Sequence, residues 1–219
     1  MFGWLTGRSS PKVPAEADTP RPFGANTQWL VCRAPHPVDV ASALASVDAR
    51  FANKPAAPCS WGRGVECALG LAKPRGVFFT PAYEGWVLGL GYVPRSRELA
   101  TWQQVLGGLS RQLSGRVALF GSYRNVSGVI IVLAEAGEVV RAYIHSDGQT
   151  ELNFGERLPE EHDPAVRYFE DLAESDEFDD RPLLGERSIL KLSAQIGLDP
   201  SRFGKPPYAE PSVGLLAPW

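Results

Sequence analysis

The chain has 219 residues, 44% of them hydrophobic and 21% charged, with a formal net charge of −3. That length and composition suit one domain with extensions and exclude wholesale disorder. The small net charge conceals an asymmetry: Glu156 to Asp180 holds eleven acids against Arg157 and Arg167, a net −9, so the remainder sums to +6.

The amino terminus, MFGWLTGRSSPKVPAEADTPRPFG, carries only a five-residue apolar patch before Thr6, Gly7 and Arg8, too short for a signal-peptide core. Nothing later reaches the roughly 18 uninterrupted apolar residues of a membrane span. Cys32, Cys59 and Cys67 are an odd count without metal-type spacing, which suits free thiols in a reducing compartment. A cytoplasmic protein is expected. Four prolines between residues 8 and 26 predict a flexible leader over 1–26, followed by a single domain over 27–219.

TQWLVCRA reads as an apolar strand. In PVDVASALASVDARF the apolar Val40, Leu44, Val47 and Phe51 share one helical face. SWGRGVECALGL, GVFFTP and GWVLGLGYV read as three strands punctuated by Gly and Pro. RELATWQQVLGGLSRQLS spaces Leu99, Trp102, Val105, Leu106, Leu109 and Leu113 as a helix on a sheet, with Gly107 and Gly108 weakening its second half. VALFGSYR, VSGVIIVLAE, EVVRAYIH and TELNFG form a meander, and Asp147-Gly148 is a strong hairpin signal. DPAVRYFEDLAE and ERSILKLSAQIGL read as helices, and the tail from Asp199 as irregular structure. The predicted architecture is α+β: a largely antiparallel sheet of about six to eight strands with helices packed against it.

No catalytic signature survives inspection. GRGVEC, residues 62 to 67, starts like a dinucleotide loop, but Cys67 replaces the third glycine. G-x-x-x-x-G-K-[ST], G-x-S-x-G and H-E-x-x-H are all missing. His36 lies between prolines and His162 in an acidic run, which leaves His145 with Cys67 as the thiolate pair a hydrolase would need. "EDLAESDEFDD", residues 170 to 180, packs seven carboxylates into eleven positions. Counted as a calcium loop from Asp176 it fails at Phe178, Arg181 and Arg187, so no metal is expected, and no cofactor either.

ILKLSAQIGLDPSRF resembles a helix-turn-helix, but Gly204, Pro206 and Pro207 stop a recognition helix early, and the −9 segment opposes phosphate binding. Neither nucleic acid nor membrane is an expected partner. The aromatic residues around the middle strands read as core, except that Tyr83 and Trp86 flank a Glu84-Gly85 turn and are candidate contact anchors.

Four segments, FFTPAYEGWVLGLG, ALFGSYRNVSG, AEAGEVVRAYIHSDGQTELNFGERLPEE and LSAQIGLDPSRF, together resemble a loose family of uncharacterised bacterial cytoplasmic proteins, some found near secreted toxin systems. The matching positions include Pro81, Gly85, Trp86, Gly91, Phe120, Gly137, Glu138, Arg141, Ala142, Tyr143, Asn153, Gly155, Glu156, Glu161, Asp199 and Pro200, across about half to two-thirds of the chain. The chain departs from that pattern in the strand Val129 to Leu133, where an aromatic residue often stands, in its leader and in its acidic run.

The resemblance implies an immunity protein that neutralises a cognate toxin and carries no catalytic residues. On that expectation the contact with a basic toxin surface is formed by Glu170, Asp171, Glu174, Asp176, Glu177, Asp179 and Asp180, with Phe178, Tyr83 and Trp86 as apolar anchors. The alternatives are a Cys67/His145 hydrolase and an adaptor of a secretion apparatus.

Overall fold

The computed structural model describes residues 17–23, 26–123, 128–162, 168 and 184–219. Among these, nine strands make one sheet: β1 (Thr27–Arg33), β2 (Ala57–Ser60), β3 (Gly76–Phe79), β4 (Trp86–Leu90), β5 (Val117–Tyr123), β6 (Gly128–Glu135), β7 (Glu138–Ser146), β8 (Gln149–Phe154) and β9 (Val213–Pro218). Their order is β2-β9-β3-β4-β1-β5-β6-β7-β8, and every pairing is antiparallel. The helices are α1 (Pro37–Val47), α2 (Trp61–Ala68), α3 (Leu99–Trp102), α4 (Gly108–Gln112) and α5 (Glu186–Ile196). The fold is α+β.

Both faces of the sheet are covered. On one face Leu30, Cys32, Ile130 and Val132 meet Val40 and Leu44 of α1 and the Trp102–Leu109 stretch. On the other face Trp29, Val31, Ile131 and Leu133 meet Trp61 and Cys67 of α2 and Ile189, Leu192 and Ile196 of α5. Strands buried on both sides need apolar residues at every position, which is why β6 reads GVIIVLA without alternation. Each large side chain so buried contributes about 1.5–3 kcal/mol.

The hairpin signals hold. Asp147 and Gly148 have φ of 50° and 75°, and Ala136 and Gly137 have 49° and 90°, as two-residue turns with positive φ at both centres require. A π turn, Gln103–Gly107, joins α3 and α4 into one continuous helix. Gly107 and Gly108 serve close approach there: a Cβ on Gly107 would fall 2.7 Å from the Gly137 carbonyl oxygen, and one on Gly108 would fall 2.8 Å from Val47 Cγ1.

Three expectations need correction. The predicted strand at 60–71 is mostly helix α2, and strand β2 precedes it. Trp61, Gly64 and Cys67 line the buried side of α2, and Gly64 lets the helix sit on the Phe78 ring, so packing overrides the low helix propensity of two glycines. The tail from Asp199 is only partly irregular, because β9 inserts between β2 and β3. The expected leader is also packed over residues 17–23. The Asp18 carboxylate accepts hydrogen bonds from the backbone N–H groups of Trp61 and Gly62, at 2.8 Å for Gly62, which caps α2, and Phe23 is buried beside Trp29 and Phe203.

Candidate functional site

Tyr83 and Trp86 are the paired residues of a two-residue hairpin joining β3 to β4. Their backbones exchange hydrogen bonds of 2.8 and 2.9 Å, and Glu84 and Gly85 between them have φ of 54° and 78°. Both side chains are half-buried. The Tyr83 ring lies 5.0 Å from Tyr208 and 5.6 Å from Phe203, and its hydroxyl is 3.4 Å from Ser212 Oγ. Burial raises the Tyr83 pKa, so the phenol stays protonated.

Trp86 rests on Gly197 at the end of α5, where any Cβ would come within 2.8 Å of the indole. The Arg33 guanidinium sits 5.4 Å from the Trp86 ring centroid. The hairpin thus offers two rigid aromatic edges, with exposed Glu84 and Gly85 between them. The other predicted contact residues, Glu170, Asp171, Glu174, Asp176, Glu177, Phe178, Asp179 and Asp180, lie outside the described residues, as does most of the predicted helix over DPAVRYFEDLAE. Tyr168 and Leu184, which bracket the run in sequence, are both buried in the core that Tyr83 and Trp86 pack against.

Cys67 and His145 are not brought together. Cys67 belongs to α2, which packs on β3, whereas His145 is in β7. Five strand steps separate β3 from β7, about 24 Å at the usual spacing. Burial raises the Cys67 pKa against a smaller lowering by Arg63, and burial followed by the neighbouring Cys67 raises that of Cys59. Burial pushes the Cys32 thiol up to about 12. A nucleophilic thiolate requires the opposite environment. Among the described residues no three His, Cys, Asp or Glu side chains group as metal ligands, and no helix is long and apolar enough to cross a membrane.

Sequence reasoning missed a buried ionic cluster centred on Arg141 and Glu161. The Arg141 and Glu161 side chains are both 0% exposed, and the Arg141 guanidinium donates to Glu161 Oε2 at 2.9 Å and to Asn153 Oδ1 at 2.7 Å. It also donates to the Phe154 and Gly155 carbonyls. Glu161 further accepts from the Tyr168 hydroxyl at 2.6 Å and from Leu158 N–H at 2.9 Å. Burial, with Glu161 as acceptor, raises the Tyr168 pKa. The one available signal was an arginine in the middle of the apolar strand EVVRAYIH.

Another cluster closes the far end of the sheet's other face. Asp48 ends α1 and is held by Arg50 at 2.5 Å, and the Tyr92 hydroxyl donates to it at 3.3 Å. Burial alone would raise the Asp48 pKa, but the Arg50 hydrogen bonds and charge outweigh it and hold the carboxyl below its ordinary value. Arg50 in turn lies 5.4–5.7 Å from the ring centroids of Phe51, Tyr92 and Trp219. These groups are spent on one another and form scaffold. No family model, curated protein or solved structure matches the chain.

Proposed function

We propose that the chain is a non-catalytic binding protein, an immunity protein that occludes a secreted bacterial toxin with a basic surface. One observation carries the reading: the residues bracketing the acidic run, Tyr168 and Leu184, are anchored in the same core as the half-exposed Tyr83 and Trp86. Carboxylates steer a basic partner during encounter, and rigid aromatic edges supply the contacts that slow its release. The reading is also supported by the separation of Cys67 from His145, which leaves the hydrolase alternative without its pair.

The test is binding to the toxin encoded beside this gene. Glu174, Asp176, Glu177, Asp179 and Asp180 are changed together to Lys, and Tyr83→Ala with Trp86→Ala forms a separate variant. Charge reversal is expected to cut the association rate by about ten-fold or more at low salt and to abolish its salt dependence. The aromatic double substitution is expected to raise the dissociation rate. Unchanged protection and unchanged kinetics in both variants, or a neighbouring gene with no secreted product, defeats the reading.

A further inference from the structure

β8 closes one end of the sheet, and among the described residues no backbone hydrogen bond reaches its outer side. A strand in that position leaves about half of its N–H and C=O groups pointing away from the ladder. Gln149, Thr150, Glu151, Asn153 and Phe154 are exposed, and Leu152 is half-buried. We infer that this edge is a strand-addition site for an extended polypeptide segment that carries a basic residue at each end. β8 lies five strand steps from β4, about 24 Å at the usual spacing, so the surface is separate from the Tyr83–Trp86 hairpin and does not depend on the toxin reading.

The first support is that this edge is undefended while the opposite one is not. β2, at the other end of the sheet, has four residues and includes Pro58, which has no N–H to offer. β8 has six residues, with no proline and no lysine among them. Its one charge, Glu151, is the extra residue of a bulge opposite Ile144 and His145. There it is held by Arg97 at 2.5 Å and by the Ser146 hydroxyl, so it does not guard the edge as a free charge. Native sheets normally blunt a long edge, because it is a template for pairing. An edge left open is the feature that strand-adding peptides use, their main chain supplying the hydrogen bonds.

The second is charge at the two ends. Asp147 precedes β8 in the hairpin turn and Glu156 follows it, and both are exposed. Among the described residues neither carboxylate forms an ion pair. An incoming strand therefore meets a carboxylate at each end of the row of free backbone groups, which favours Lys or Arg at both of its ends.

The same charges argue against a second copy as the occupant. Antiparallel pairing of β8 with itself, centred between Glu151 and Leu152, sets Asp147 opposite Glu156 at both ends, and like charges so placed repel. Apolar contact is available at the Glu156 end, where Phe154 is 39% exposed and Val140, whose carbonyl adjoins Gly155, is 38% exposed. Side chains of the added strand have those two to pack on.

The experiment is an amide NMR titration of the full chain with a nine-residue peptide, Lys at both ends and Thr and Val alternating between them. Its two Lys are eight positions apart, which matches the span from Asp147 to Glu156 once the bulge residue Glu151 is discounted. Two control peptides carry Glu at both ends, or Pro in place of every Val. The expected result is a saturable shift confined to residues 147–156 and their β7 neighbours, with slowed hydrogen exchange along β8, and no saturable response to either control. Asp147→Asn with Glu156→Gln should weaken the Lys-ended peptide by about three- to ten-fold and remove most of its salt dependence. Asn tolerates the φ of 50° at position 147 and Glu156 is exposed, so the melting temperature of this variant should match the parent. No saturable response along β8, equal binding of the proline peptide, or unchanged affinity in the double variant overturns the assignment. Concentration-dependent dimerisation that protects the β8 amides without peptide gives the edge to a second copy and overturns it too.

Discussion

Replacing Glu161 by Gln keeps the side chain's shape and removes its charge. The Arg141 guanidinium, 0% exposed, would then have no counterion. Removing one partner of a buried pair costs about 3–5 kcal/mol, because the remaining charge stays out of water. The amide adds a second penalty. Glu161 accepts from Tyr168 Oη at 2.6 Å and from Leu158 N–H at 2.9 Å, besides Arg141, so an NH₂ must face a donor somewhere. A loss of about 4 kcal/mol or more is expected, which for a chain of this size is a fall in Tm of roughly 8–16 °C. Urea and thermal melts of wild type, Arg141→Met, Glu161→Gln and the double variant measure it. Arg141 also satisfies Asn153 and three carbonyls, so the double variant stays less stable than wild type. Its cost should nonetheless fall short of the sum of the singles by about 2 kcal/mol or more. A cost under about 1 kcal/mol for Glu161→Gln, or additivity within about 0.5 kcal/mol, refutes the buried-pair account.

The three cysteines should resist iodoacetamide at pH 8 in the native protein and react on unfolding, since burial raises each thiol's pKa. Rapid native labelling of Cys67 would contradict its burial. Gly64→Ala should lower stability by about 1–3 kcal/mol despite alanine's better helix propensity, because its Cβ would fall 2.0 Å from Phe78 Cδ2. A higher Tm would contradict that. Because the folded-state pKa of Asp48 is lowered, its contribution is present above its unfolded pKa of about 3.9 and is lost as pH falls through the folded value. The stability gap between wild type and Asp48→Asn should therefore be constant from neutral pH down to about pH 4 and narrow below it, and a gap that widens on acidification would be inconsistent with the Arg50 contact.

The sheet was legible where local chemistry decides the structure. Asp147-Gly148 and Ala136-Gly137 mark their hairpins because few residue pairs tolerate two positive φ values, and the unbroken apolar run of β6 shows that both faces are covered. It was illegible where a distant partner decides. α2 is a helix because Asp18, 43 residues earlier, caps it and Phe78 fills the space at Gly64. β9 is a strand because β2 and β3 leave room for it, and no periodicity in a tail rich in Pro and Gly announces that. Arg141 finds its counterion 20 residues away. Of the candidate site, the Tyr83–Trp86 turn was readable from Glu84-Gly85, whereas the π turn at 103–107 is concealed by the helical spacing of 99–112.

The polar and glycine residues that carry the resemblance are largely consumed by structure. Arg141 donates to both Asn153 and Glu161, Asp199 caps the turn that begins at Pro200, and Gly155 has φ of 77° with the Val140 carbonyl where a Cβ would stand. Gly85, Gly91 and Gly137 hold positive φ as well. Substituting these residues should act first through stability, whatever the function is. Residues that discriminate between readings must be sought elsewhere: in the carboxylates of 170–180 and at the aromatic edges of Tyr83 and Trp86. At those positions a substitution can change binding while the melt stays put, and only such a substitution separates a contact from a scaffold.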